Sequence, residues 1–145
     1  MEMTLSEQRD KIIEKFQELK AKSVSDVKFD RGSLEKSFDC TMKIAWWINM
    51  RTEWSKAFRT YEYKRNNAWK KAYEYYRTEY QLKLETKEEF KLMVDSDPDY
   101  FEAAELTKLV QEIINFIDSV IDNMKARQWE IKNCMEWQKF TNGVG

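Results

Sequence analysis

The chain has 145 residues, 35% of them charged and 42% hydrophobic, with a formal net charge of −1 and a mean hydropathy of −0.80. That is enough for one domain, or one domain with an appended helix, and it contains no apolar run approaching the roughly 20 residues that span a bilayer. Three glycines and one proline leave few turns, so an all-α chain is expected, and the lack of any histidine removes the usual general base near neutral pH and the commonest metal ligand.

Residues 1–10 carry acids and no apolar core of a secretory signal, which points to an intracellular protein. The first helix is expected over 4–23. Thr4-x-x-Glu7 fits a capping box, in which hydroxyl and carboxylate satisfy free backbone N–H groups, and Leu5, Ile12, Phe16 and Leu19 form an apolar stripe with Ile13 beside it. Residues 23–32 are polar around Val24, Val27 and Phe29 and read as a connection. Ser33 then caps a long second helix, with Leu34, Phe38, Met42 and Ala45 leading into an aromatic region.

That region, residues 46–80, interleaves lysine and arginine with tryptophan and tyrosine. Between Arg51 and Arg77 lie eight basic residues (Arg51, Lys56, Arg59, Lys64, Arg65, Lys70, Lys71 and Arg77) against three acids, Glu53, Glu62 and Glu74. At helical steps of three and four, Lys56, Arg59, Tyr63, Asn66, Lys70, Tyr73 and Arg77 share one face. Trp47, Trp54, Phe58, Tyr61, Ala68 or Trp69, Ala72 and Tyr76 share another, which reads as core, with Arg65 at its edge. A solvated charged face is the ordinary reading of the first stripe. Its excess of one sign and its two tyrosines also suit a single-stranded nucleic acid, whose phosphates and unstacked bases are both exposed. DNA and RNA share that chemistry.

From 85 to 102 the charge reverses, with Glu85, Glu88, Glu89, Asp95, Asp97, Asp99 and Glu102 against Lys87 and Lys91. This reads either as a solvated helix and turn or as a segment that docks a basic partner or screens the basic helix. Asp95-x-Asp97-x-Asp99 is not a calcium loop, because Tyr100 and Leu106 stand where glycine and a bidentate glutamate are needed. Asp97-Pro98-Asp99 reads as an N-cap, a first-turn proline and a carboxylate favoured by the helix dipole. The last helix is expected from about 98 to 140, with Leu106, Val110, Ile113, Ile117, Val120 and Met124, then Arg127, Ile131 and Cys134 at heptad spacing, and Leu109, Ile114 and Ile121 widening the stripe. So wide a face suits either a single intrachain bundle or self-association. Asn142, Gly143 and Gly145 end the helix.

Cys40 and Cys134 belong to no metal-ligand or redox motif and read as reduced structural thiols. No Walker loop or nucleophile elbow is present. Neither an enzyme nor a cofactor or metal site is expected.

Three stretches resemble the UvsY-like recombination mediators of T-even-like bacteriophages. Lys70-Lys71-Ala72-Tyr73-Glu74-Tyr75-Tyr76 is similar to the family's Lys-Ala-Arg-Leu-Asp-Tyr-Tyr. Val94-Asp95-Ser96-Asp97-Pro98-Asp99 resembles its Ser-Ala-Asp-Lys-Asp junction before the last helix. Met124-Lys125-Ala126-Arg127-Gln128-Trp129-Glu130-Ile131-Lys132 resembles its Ile-Lys-Ser-Arg-Gly-Phe-Ala-Ile-Lys. The resemblance covers residues 27–143. It implies a non-enzymatic protein that binds single-stranded DNA and assembles through its C-terminal region into a ring-like homo-oligomer, a hexamer or heptamer. It also implies that the protein helps a RecA-like recombinase displace the phage single-strand-binding protein, in the cytoplasm of the infected host. Of the family's basic pair, Lys70 matches, whereas Ala72 stands at the arginine and Lys71 is the nearest positive charge.

The expectation is therefore a DNA-binding region over 1–95 and a self-association helix over 96–145. Lys56, Arg59, Lys64, Lys70, Lys71 and Arg77 would neutralise phosphates, and Tyr63 and Tyr73 would stack bases. Leu106, Val110, Ile113, Ile117, Val120, Met124 and Ile131 would join the copies. The rival is a helical scaffold that binds only proteins, its basic stripe paired with the acidic segment of a neighbour.

Overall fold

The computed structural model describes the backbone of residues 3–28, 34–80 and 84–143, with side chains from residue 39 onward in the second of these segments. The described residues form four helices and no strand: α1 (Leu5–Val27), α2 (Leu34–Thr78), α3 (Lys87–Asp95) and α4 (Pro98–Thr141). Two compact units are built from them, and α1, α2 and α4 each run through both. One comprises residues 1–12 and 54–112, the other 13–53 and 113–145. The expected regions 1–95 and 96–145 cut across these units.

Helix ends follow the side chains that can satisfy free backbone groups. At α1 the Glu7 N–H donates to Thr4 Oγ1 at 3.2 Å and the Thr4 N–H to Glu7 Oε2 at 3.1 Å, the expected capping box. The same device opens α3, where Thr86 and Glu89 exchange bonds. Asp97 caps α4: its Oδ1 accepts from the N–H of Asp99 at 3.1 Å and of Tyr100 at 3.2 Å, and Pro98 takes the first helical position, where no N–H is needed. At the far end Gly143 adopts a φ of +71°, the left-handed conformation that ends helices.

In the unit of residues 13–53 and 113–145, Leu19, Ile44, Trp47, Ile113, Ile117, Val120, Ile121, Met124 and Ile131 are buried. Phe116 meets Phe16 and Trp47 edge to face, with centroids 5.5 and 6.4 Å apart. The indole of fully buried Trp47 donates to Asp26 Oδ2 at 3.0 Å, and Lys22 Nζ pairs with the same oxygen at 3.2 Å. This contact explains why α1 outruns its expected end at residue 23. Residues 23–27 are helical because Ser23 and Asp26 point inward with partners, Ser23 Oγ donating to the Lys20 carbonyl. The rest of the expected connection and the Ser33 cap fall on residues 29–33, outside the described residues, as do the side chains of Leu34 and Phe38. Met42 and Ala45 do not carry the stripe: Met42 is 73% exposed, and Cys40 and Ile44 hold the inner positions instead. Cys40 Sγ donates to the Met124 carbonyl, and burial raises its thiol pKa, which keeps it protonated.

In the unit of residues 1–12 and 54–112, Ile12, Trp54, Ala72, Val94, Ala103, Leu106 and Val110 form the core. Buried Thr107 is satisfied by donating to the Ala103 carbonyl at 2.8 Å. Along α4 the buried positions 103, 106, 107, 110, 113, 114, 117, 120, 121 and 124 keep the steps of three and four read from the sequence.

Candidate nucleic-acid interface

All eight residues expected to touch nucleic acid lie on α2 within the unit of residues 1–12 and 54–112. Lys56, Arg59, Tyr63, Lys64, Lys70, Lys71 and Arg77 are exposed, whereas Tyr73 is half-buried. From Lys56 to Arg77 the helix rises about 32 Å at 1.5 Å per residue. Among the described residues no ion pair engages Arg59, Lys70, Lys71 or Arg77, so their charge is available to an anion. Other members of the basic count behave differently. Arg51 makes a two-point pair with Asp118, which raises its pKa further, Arg65 pairs with Glu62 at 3.6 Å, and Lys64 Nζ reaches Gln8 Oε1 at 3.5 Å and lies 5.2 Å from the Tyr61 ring.

The aromatic residues split between core and surface. Trp47, Trp54 and Ala72 are buried and Phe58, Tyr61, Ala68 and Tyr76 half-buried, as the apolar stripe requires. Burial raises the Tyr61 pKa, so its phenol stays neutral. Trp69 leaves the stripe and is 41% exposed, since Ala68 takes the inward position. Tyr63, 67% exposed, is an open π-face. Tyr73 is not: its ring stacks on Trp69 with centroids 5.4 Å apart and planes 12° apart, and meets Phe90 of α3 at 5.9 Å. Its sequence position put it on the charged stripe, and the aromatic partner that half-covers it comes from an element 17 residues further on.

Two grooves flank this surface within the same unit. The larger, about 640 Å³, is lined by Leu5, Lys64, Asn67, Ala68, Lys71, Ala72, Tyr75, Asp97, Asp99 and Ala103. Two lysines and an exposed tyrosine thus share a groove with two carboxylates of the acidic segment. The smaller, about 410 Å³, lies between α2 and α3. The sequence reading missed both, because neither Tyr75 nor Trp69 falls on the basic stripe. Among the described residues no cluster of three or more carboxylate or thiol side chains could hold a metal ion, and no helix is long and apolar enough to cross a membrane.

The residues expected to join copies are placed inside the chain. Leu106, Val110, Ile113, Ile117 and Ile131 are 0% exposed, Met124 1% and Val120 4%. Their apolar area is covered by the chain's own helices. On the last turns of α4, Trp129, Trp137 and Phe140 are 66–75% exposed, with Trp137 stacked on Phe140 at 5.9 Å.

The family model described as "Recombination, repair and ssDNA binding protein UvsY" matches residues 22–144. Two crystal structures of the bacteriophage T4 recombination mediator protein UvsY, in lattice types IV and II, match this fold with a TM-score of 0.77 at 20% identity. They cover 87% of this chain and 98% and 96% of theirs, a likeness of fold. No curated protein sequence matches the chain.

Proposed function

The chain belongs to the UvsY family of recombination, repair and single-stranded-DNA-binding proteins, and from that premise we propose that it is a recombination mediator. On this reading it binds single-stranded DNA along α2 and promotes loading of a RecA-like recombinase onto strand coated with a single-strand-binding protein, in the cytoplasm of an infected bacterium. The observation that carries the reading is the row of exposed cations on one helix, Arg59, Lys70, Lys71 and Arg77 with Lys56 and Lys64, in a chain whose net charge is only −1.

Phosphate neutralisation by that row releases counterions and supplies sequence-independent affinity, and Tyr63 offers a base a flat face. Several copies holding one strand make each further contact intramolecular, which multiplies a weak site. We assign self-association to the 96–145 region, on its exposed aromatic end. Holding the strand on such an assembly weakens the competing protein's grip and presents a segment on which recombinase nucleates.

The test is the lag in DNA-dependent ATP hydrolysis by a RecA-like recombinase on strand precoated with single-strand-binding protein. The chain shortens that lag if it is a mediator. An unchanged lag, with the chain bound to the DNA, would remove the mediator role while leaving DNA binding intact.

A further inference from the structure

We propose that the groove between α2 and α3 is a base-stacking subsite that receives a nucleobase from the strand held on α2. The proposal rests on the single-stranded-DNA reading above. The groove, about 410 Å³, is lined by Trp69, Tyr73, Lys87, Phe90, Lys91, Val94 and Asp95, within the roughly 300–1,000 Å³ of pockets that hold small organic ligands.

Three features select a nucleobase. Trp69 is 41% exposed and stacks nearly parallel to Tyr73, so a flat aromatic surface is held in a fixed orientation by its own partner. Phe90 backs Tyr73, and Val94, 1% exposed, closes the apolar floor. The cations come from an unexpected place. α3 lies in the acidic segment, yet Lys87 and Lys91, four residues apart and therefore on one face, are the α3 charges that line the groove beside Asp95. Two ammonium groups against one carboxylate favour an anionic ligand, and π-faces sharing a groove with ammonium groups match a base joined to a phosphate. Tyr73 belongs both to this groove and to the basic stripe, and Lys70 adjoins Trp69 in sequence, so a strand on the stripe passes the mouth of the groove.

The full-length protein is titrated by fluorescence anisotropy with a labelled mixed-sequence oligonucleotide and with an abasic strand of the same length. The unmutated protein binds the base-bearing strand at least about tenfold more tightly, the scale of one base–aromatic stack. Trp69→Leu removes much of that advantage and leaves affinity for the abasic strand unchanged. Lys87→Gln/Lys91→Gln weakens binding to both strands and makes the salt slope shallower by about 1.4, two phosphates at about 0.7 each. Equal affinity of the unmutated protein for the two strands overturns the proposal, as does a folded Trp69→Leu variant that keeps the full advantage. Should Trp69→Leu fail to fold, the exposed lysine pair decides, and an unaltered salt slope overturns the subsite. Failure of the subsite alone leaves Lys70→Glu/Lys71→Glu still disruptive. Failure of the underlying reading leaves neither strand bound.

Discussion

The phenol of Tyr76 on α2 donates to Oδ2 of Asp97 at 3.3 Å, while Oδ1 of the same carboxylate caps α4 by accepting from Asp99 and Tyr100. One side chain therefore both starts α4 and ties that start to α2. Asp97→Ala removes the cap and orphans the phenol, and is expected to cost about 1–2 kcal/mol in urea unfolding. Tyr76→Phe loses only the tie and is expected to cost less.

Burial, and then the nearby Asp97 charge and hydrogen bond, raise the Tyr76 pKa above the unfolded value, and burial raises that of Tyr61. A proton held more tightly by the folded state gives stability that is complete below about 10, the ordinary tyrosine value, and is lost as pH climbs from there through the folded value. Thermal melts should therefore fall progressively above pH 10, and Tyr76→Phe should flatten part of that fall.

Trp47 and Asp26 form a buried polar contact in the unit of residues 13–53 and 113–145. Trp47→Phe keeps most of the apolar volume but takes the indole donor away from a largely buried carboxylate. The expected cost is about 1–3 kcal/mol by denaturant unfolding. The midpoint of Asp26→Asn, which keeps an acceptor for the indole, should fall less.

Lys71 and Asp99 line one groove, and a carboxylate beside the basic face is expected to weaken its pull on a phosphate. Asp99→Asn leaves the cap on Asp97 intact and should raise affinity for a single strand about two- to threefold at low salt, an advantage that disappears as screening shortens the reach of surface charges. Unaltered affinity at low salt would mean that the strand passes elsewhere.

The helices were legible where a local signal fixed them. Thr4 with Glu7, and Asp97, announce α1 and α4 through the hydrogen bonds they make, Pro98 through the N–H it lacks, and the steps of three and four along residues 106–124 describe the face that is buried. Periodicity tells that a face is covered but not by what, which is why the same stripe suited both an intrachain bundle and a contact between copies. Asp26 looked like a loop residue because its partner, the indole of Trp47, lies 21 residues away. Tyr73 looked like an open platform because Phe90, which half-covers it, comes from another helix. The exposure of Lys70 and Arg77 was legible from their spacing, whereas the two grooves, made by residues on different helices, were not.

The central claim is that the exposed row on α2 holds single-stranded DNA. Fluorescence anisotropy of labelled oligo-dT against a duplex of the same length, each titrated at low and moderate salt, tests it most directly. The account predicts tighter binding to the single strand, weakening steeply with salt at about 0.7 logarithmic unit of affinity per tenfold rise in salt for each phosphate neutralised. No binding to oligo-dT at low salt, or an equal preference for the duplex, would contradict it.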